Sequence, residues 1–553
     1  MEPLLARVTP SRPPAPGAGP WRAPAIVLVV ALLVPLLNMI PTWDGYLSER
    51  PPGKVFLGFR YMAGDHYQYG SFARQVADEG RLLMENRFTT EAQRPSYFLL
   101  YFWIVGTVSR LTGLSFPTAW EALRLIFGAS FMMVVWRFTA LVFPERRSRL
   151  IAYLFVAFSG GLAWAVGPFL PEPIPGQYSF LRDPWNYQWN WSTFSSMLVP
   201  LWIAPCLALL LCGVVLTREP RFTSRITWAV GLTLPPIIWF MHPHTGNAAY
   251  LAFGAWAAMP ALTALWSLER IPWTKVRANL AAVLPFLLSF SIVAAYVIWA
   301  GGDAVFKTNS GGAFVWNPAY SLFWYPITYG LLLPLAAAGI RWSGSVEEKP
   351  RDFVAAWLLS TLAFSLNPLY SGVKFQYLLH LPLAVFAAHG LAELRRRSER
   401  MKSLTTGLSG ALLGAALFMN APVMLVKDMP KTATDADIYL TSTELEAMRF
   451  LDSQPPGNVL CTQRSGNRIA WLSRKKVFSG HWLLTVDLNQ KEYQVAAFLH
   501  PSTPLDQKQA FLKRNGIAYV YLGPNEARLG DVDARLGLAR IHEAGDVRVF
   551  KVP

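Results

Sequence analysis

Charge is what this sequence has least of. Only 15% of its 553 residues are Asp, Glu, Lys or Arg, against about 25% in ordinary soluble chains. So low a share excludes a soluble globular protein, a disordered chain and a collagen-like chain. Acidic residues are the scarcer kind, 34 against 50 basic ones, a net charge of +16. Cysteine is nearly absent. Cys206 and Cys212 share one apolar run and Cys461 stands alone, so there is neither a disulfide framework nor a metal-binding spacing. No Gly-rich phosphate loop of either common type is present. Internal repeats are missing too, and low complexity is confined to the Pro/Ala-rich N-terminus.

What the chain has in quantity is apolar surface. It is 53% hydrophobic and 14% aromatic, with 22 Trp, and its mean hydropathy is +0.28. A membrane-crossing helix needs about 20 apolar residues. Such runs lie at 23–41, 118–143, 150–168, 194–217, 226–241, 247–267, 279–300, 319–340, 353–369, 376–393 and 403–426, which makes about eleven predicted spans. The first is too long for a signal-peptide core and lacks a clear cleavage site, so it is expected to be retained. Basic clusters follow alternate spans: Arg146, Arg147 and Arg149; Arg218, Arg221 and Arg225; Arg270, Lys275 and Arg277; Arg341, Lys349 and Arg351; Arg395, Arg396, Arg397, Arg400 and Lys402. All of them fall on one side with residues 1–22, and by the positive-inside rule that side is the cytoplasm. The apolar stretch 96–112 would break this pattern as a span, so it is expected to lie in the outer interface.

The predicted outer face then carries the loop 42–117, shorter loops at 169–193, 242–246, 301–318 and 367–376, and the tail 427–553. Strands at 458–462, 475–480, 517–523 and 547–552, with helices at 444–451 and 508–515, make the tail a small α/β domain. The cytoplasmic loops are too short for a nucleotide-binding domain, which argues against direct use of ATP or a nucleotide sugar.

Polar residues on the outer side are the candidates for chemistry. Asp65 precedes a helix-like run at 67–79, where it would cap the helix or act as a general base or metal-binding carboxylate. Arg182 and Asp183 are either a solvated pair or a second acidic motif. Trp185, Trp189 and Trp191 read better as an interfacial belt than as a sugar platform. His242 and His244 end a span as interfacial polar residues or as part of an outer site. Metal ligation would require further partners. His380 reads as a buried, hydrogen-bonded histidine. Arg124 and Arg137 lie inside a span, where charge is costly; Arg124 is near its outer half, and Arg137 is expected to snorkel.

A first helix leads into a long loop with an acidic residue before a helix. The stretch ENRFTTE…RPSYFLLYFWIVGTVSRLTGLSFPTAWEALRLIFG follows, then Asn317-Pro318, then a Lys374-bearing loop entering HLPLAVFAAHGLAEL. In these features the chain resembles the GT-C superfamily of membrane glycosyltransferases, which includes protein O-mannosyltransferases, aminoarabinose transferases and the oligosaccharyltransferase catalytic subunit. The resemblance covers 23–426 as architecture and is most specific over 61–124. It implies an α-helical polytopic membrane protein with a C-terminal extracytoplasmic α/β domain. It implies inverting transfer of a sugar from a polyprenyl-phosphate donor to a glycan, lipid or protein acceptor at the outer face of a bacterial plasma membrane. Asp65 would be the catalytic base. His66 stands where many relatives carry a second acidic residue. No cofactor is therefore firmly implied, and a divalent cation is left open. Lys374 would meet the donor phosphate or snorkel, and Arg94 is a second phosphate candidate. The lipid bilayer is a partner; nucleic acid is not. A transporter or flippase of a lipid-linked glycan is the alternative, but neither midplane charge pairs nor repeated halves are evident.

Overall fold

The computed structural model describes residues 23–48, 52–59, 63–166, 192–197, 200–218, 225–315, 324–366, 373–427 and 438–553; Arg182, Asp183 and the predicted cytoplasmic segment 1–22 lie outside them. The chain opens with α1 (Ala25–Leu47), β1 (Lys54–Phe56), α2 (Ala63–Glu79), α3 (Leu100–Thr112) and α4 (Phe116–Val142). A helical body follows: α5 (Arg146–Phe158), α6 (Ala163–Val166), α7 (Thr193–Ser196), α8 (Pro200–Arg218), α9 (Arg225–Met241), α10 (Pro243–Trp266), α11 (Trp273–Leu288), α12 (Phe290–Ala300), α13 (Ala304–Val315), α14 (Trp324–Tyr329), α15 (Leu332–Arg341), α16 (Glu348–Ser365), α17 (Val373–Arg397), α18 (Glu399–Leu404), α19 (Gly407–Phe418) and α20 (Asn420–Lys427).

Over the described residues each predicted span overlaps helix, with breaks inside some of them. Among the described residues four are long and apolar enough to cross a membrane: Ala25–Leu47, Phe116–Val142, Pro243–Trp266 and the continuous stretch Trp273–Ala300. Close packing shortens others. The predicted span 150–168 stops at Phe158, because the Gly160 N–H donates to Leu417 O at 2.9 Å. A Cβ on Gly161 would lie 1.9 Å from Thr328 O. The predicted span 403–426 is divided among three helices, with a turn at Gly407, whose φ is 56°. Helix α3 has 13 residues, about 20 Å at 1.5 Å per residue, too short for a core about 30 Å thick. It lies along α2 instead, where a Cβ on Gly106 would meet Ala73 O at 2.3 Å.

The tail comprises β2 (Tyr439–Thr441), α21 (Ser442–Ser453), β3 (Asn458–Leu460), α22 (Gln463–Leu472), β4 (Lys476–Val477), α23 (Leu488–Leu499), α24 (Leu505–Arg514), β5 (Ile517–Leu522), α25 (Pro524–Ala527), β6 (Ala539–Ala544) and β7 (Val547–Lys551). Five strands form one sheet in the order β4-β3-β5-β7-β6. β3 is parallel to β4 and β5, and β7 is antiparallel to β5 and β6. The helix α21 starts with a capping box at Thr441 and Glu444. Leu460, Phe478, Val495, Phe498, Val520 and Leu522 build the tail's own core.

The tail is also joined to the 42–117 loop. Strand β2 pairs antiparallel with β1, Lys54 opposite Thr441 and Phe56 opposite Tyr439. Helix α22 lies on α2, with Trp471 stacked on Tyr67 (5.7 Å between centroids) and tilted against Phe59 (5.4 Å). A Cβ on Gly70 would sit 2.6 Å from the Trp471 indole nitrogen, so only glycine lets the indole approach. The Arg74 guanidinium spans the junction, reaching Asp452 of the tail at 2.8 Å.

A candidate active site between the first long loop and the tail

Helix α2 begins at Ala63, one turn earlier than the predicted run at 67–79, so Asp65 lies inside the first turn rather than at the cap. A carboxylate there is still favoured by the unpaired N–H groups of the helix start. Its side chain is 21% exposed, and Oδ1 lies 3.1 Å from Nε2 of His481, a tail residue that is 1% exposed. The Leu483 N–H donates to Nδ1 of His481 at 3.3 Å. Nδ1 is therefore an acceptor, the ring proton sits on Nε2, and His481 donates to Asp65.

The turn carrying His481 is fixed at several points. Its carbonyl accepts from Leu484 N–H (3.0 Å) and Thr485 N–H (2.9 Å). The Thr485 hydroxyl donates to Phe88 O at 2.9 Å and accepts from Gly480 N–H at 3.0 Å. The Asn86 amide donates to Leu484 O at 2.7 Å. The segment ENRFTTE is thus the seat of the His481 turn.

Around Asp65 the surroundings are aromatic. Tyr69 stacks on Trp120 and Phe102, at 5.5 and 4.7 Å. Burial first, and the Asp65 charge second, push its phenol well up, so it stays protonated. His66 is buried, stacked on Phe59 at 4.6 Å and edge-on to Trp120 at 5.1 Å. Beyond Trp120, buried Arg124 pairs with Glu121, and both reach the Thr42 hydroxyl, at 3.3 and 3.4 Å. Arg137, expected to snorkel, is only 7% exposed.

The other predicted residues occupy separate places. Arg94 donates through its guanidinium to Trp299 O, lies 4.8 Å over the Trp299 ring, and its backbone N–H reaches Asp303 at 2.9 Å. His242 precedes α10, with Nδ1 2.9 Å from the Thr245 hydroxyl. Its ring is 5.4 Å from that of His244, which is 6.5 Å from Phe375. Lys374 is the second residue of α17, so the His pair and Lys374 stand at neighbouring helix starts. His380 is held as predicted: Nε2 donates to Ser159 O at 2.9 Å and Nδ1 accepts from Thr193 N–H at 3.1 Å.

Among the described residues no three His, Cys, Asp or Glu side chains form a set that could hold a metal ion. Asp65 faces the N–H of His481, and His66 is turned into the aromatic cage.

Sequence reasoning did not single out His481. The one signal was its place, two residues beyond Ser479 at the end of the predicted strand 475–480. Nothing local links it to a carboxylate 416 positions away.

A helical membrane body, a long first loop with an acidic helix start, and an α/β tail set on that loop together make the GT-C fold. Solved structures with this fold align over nearly the whole chain. The oligosaccharyltransferase of Archaeoglobus fulgidus, tethered with an acceptor peptide containing the NVT sequon, has a TM-score of 0.52 at 11% identity, over 90% of this chain and 68% of its own. The same archaeal enzyme, AglB, in complex with an inhibitory peptide and a dolichol-phosphate, gives 0.52 at 12% identity, over 90% and 69%. ArnT from Cupriavidus metallidurans in the apo state gives 0.51 at 12% identity, over 95% and 97%. Both neighbours are GT-C glycosyltransferases. At such identity the shared property is the fold. No protein-family model and no curated relative matches the sequence.

Proposed function

We propose that this chain is a GT-C glycosyltransferase that moves a sugar from a polyprenyl-phosphate carrier to an acceptor hydroxyl on the extracytoplasmic face of a bacterial plasma membrane. The observation that carries the reading is Asp65: a partly exposed carboxylate, oriented by a buried histidine, at the loop–tail junction of a GT-C fold. The neighbour AglB was solved in complex with a dolichol-phosphate, which agrees with a lipid-phosphate donor.

In this reading the acceptor hydroxyl gives its proton to the Asp65 carboxylate as its oxygen bonds to the anomeric carbon. The bond from that carbon to the phosphate oxygen breaks, and its electron pair leaves with the polyprenyl phosphate. One displacement inverts the anomeric centre. Cations placed where that phosphate charge develops stabilise the step. Lys374, with His242 and His244 at the neighbouring helix start, is proposed for this role. Arg94 is proposed at the edge of the donor site, and Arg182 and Asp183 as contacts from the second outer loop. His66 packs behind Asp65. The body 23–426 is read as about eleven crossings, with 1–22 cytoplasmic and 427–553 outside.

The test is Asp65→Asn. Asn keeps the shape and an oxygen for the His481 N–H but cannot take a proton. With the purified full-length protein and a panel of undecaprenyl-phosphate-linked mannose, arabinose and aminoarabinose, release of undecaprenyl phosphate should fall about 10²- to 10⁴-fold at matched folded protein. Wild-type turnover in Asp65→Asn would remove Asp65 as the base.

A further inference from the structure

Open α/β sheets bind ligands beyond the C-terminal ends of their strands, where the strand order reverses. In the tail that point lies between β3 and β5, because β4 flanks β3 on the other side. The chain fills it from within. Buried Glu526 accepts from Thr462 N–H at 2.9 Å, the Thr462 hydroxyl at 2.7 Å and Gly523 N–H at 3.1 Å. Glu492 accepts from Gln463 N–H at 2.8 Å and from the Ser479 hydroxyl. Two carboxylates thus stopper the start of α22, where an anion would otherwise bind.

The neighbouring strand end does something else. Beyond β4 the chain passes through Ser479 and Gly480 and delivers His481 to Asp65. His481 is not itself a base for substrate. Its Nε2 proton is directed at Asp65, its Nδ1 accepts the Leu483 N–H, and the ring is 1% exposed. What it can do is hold one carboxylate oxygen in place, and the turn that carries it is tied to Asn86 and Phe88 of the same loop that carries Asp65.

We infer that His481 is a positioning residue for Asp65, and that the tail is thereby a working part of the active site rather than an appended domain. This rests on the reading of Asp65 as the base. The substitution series separates the two. His481→Gln keeps an N–H donor near the Nε2 position; His481→Met keeps the bulk and loses the donor. With the same undecaprenyl-phosphate-linked sugars, His481→Met should lower kcat about 10- to 100-fold, the scale of a misplaced catalytic group, with KM for the donor little changed. His481→Gln should recover most of that loss. In an Asp65→Asn background, His481→Met should add nothing. Equal activity of the Gln and Met variants, or full activity of the Met variant while Asp65→Asn is inactive, overturns the inference and leaves the base reading intact. An active Asp65→Asn overturns the base reading itself.

One further measurement reads the tautomer in the unsubstituted chain. With ¹⁵N-labelled histidine in the full-length protein, the resonance that His481→Gln removes should show a protonated Nε2 and an unprotonated Nδ1. The opposite tautomer overturns the inference.

Discussion

Arg74→Ala should loosen the tail from the first long loop, and the structure sets the size of the effect. Arg74 is 24% exposed, with Nε 2.7 Å from Asp78 and Nη2 2.8 Å from Asp452. Its Nη1 donates to Trp471 O at 3.0 Å and Leu472 O at 2.7 Å. Those two carbonyls end α22 and have no partner within their own helix, so Arg74 of α2 caps a tail helix. The Asp78 pair is a partly exposed i,i+4 contact, worth about 0.3–0.5 kcal/mol. Asp452 keeps Arg474 at 2.7 Å, so its loss is softened. The carbonyl bonds, made by a charged donor, contribute most, at about 1.5–3 kcal/mol before water partly replaces them. A total near 2–4 kcal/mol follows. Limited proteolysis and a thermal-shift assay on the full-length protein should show earlier cleavage of the tail and a lower transition. Arg74→Lys should recover less than half, since an ammonium lacks the planar fork. Arg535→Ala, which removes an exposed pair with Asp533, is the control and should leave the transition where it is. An unchanged transition in Arg74→Ala would refute the view that this guanidinium pins the two parts together.

Other outcomes follow from the same geometry. Gly106→Ala should cut the yield of folded protein sharply, because the added methyl would meet the backbone carbonyl of Ala73 at 2.3 Å; normal yield and thermal stability would show that the α2–α3 crossing can give way. Lys374→Ala should lower turnover of the undecaprenyl-phosphate-linked sugars by a few kcal/mol of transition-state stabilisation, roughly 10²-fold, with Lys374→Arg partly active; full turnover in Lys374→Ala would return Lys374 to snorkelling. Reporter fusions after Arg149, Arg225, Arg277, Arg351 and Lys402 should report cytoplasm and a fusion after Lys431 the outside, and a cytoplasmic tail would overturn the proposed donor side.

Local rules carried the helical body a long way. Apolar runs of membrane length overlap helix at each expected span over the described residues. They failed where the cause was distant. The break after Phe158 depends on Thr328 and Leu417, and nothing between 150 and 168 encodes those neighbours. In the tail, β3, β5 and β7 were legible from their apolar character. The edge strand β6, reading ARIHEA, was not, because most of its side chains are exposed or half-buried and no alternation is enforced. Helix α22 was hidden by Gly466, which weakens the local helical signal. Its presence is explained by packing: a Cβ there would lie 1.9 Å from Ser479 O. At the site, Asp65 was legible because an acidic residue before a helical run is a local pattern. Its partner was not, because the contact is made only once the sheet has placed the end of β4.

The pairing of β1 with β2, and of Asp65 with His481, also sets a timetable. The two partners are 416 positions apart in the chain. At about 5–20 residues per second of synthesis, Asp65 waits roughly 20–80 seconds for His481 to be made. During that interval Tyr67 and Phe59 lack the Trp471 indole that covers them, and β1 offers an open edge. A chain cut short before the tail would carry the carboxylate but neither the cover nor the hydrogen bond. Completion of the polypeptide is therefore a condition for forming the Asp65–His481 pair and its aromatic cover.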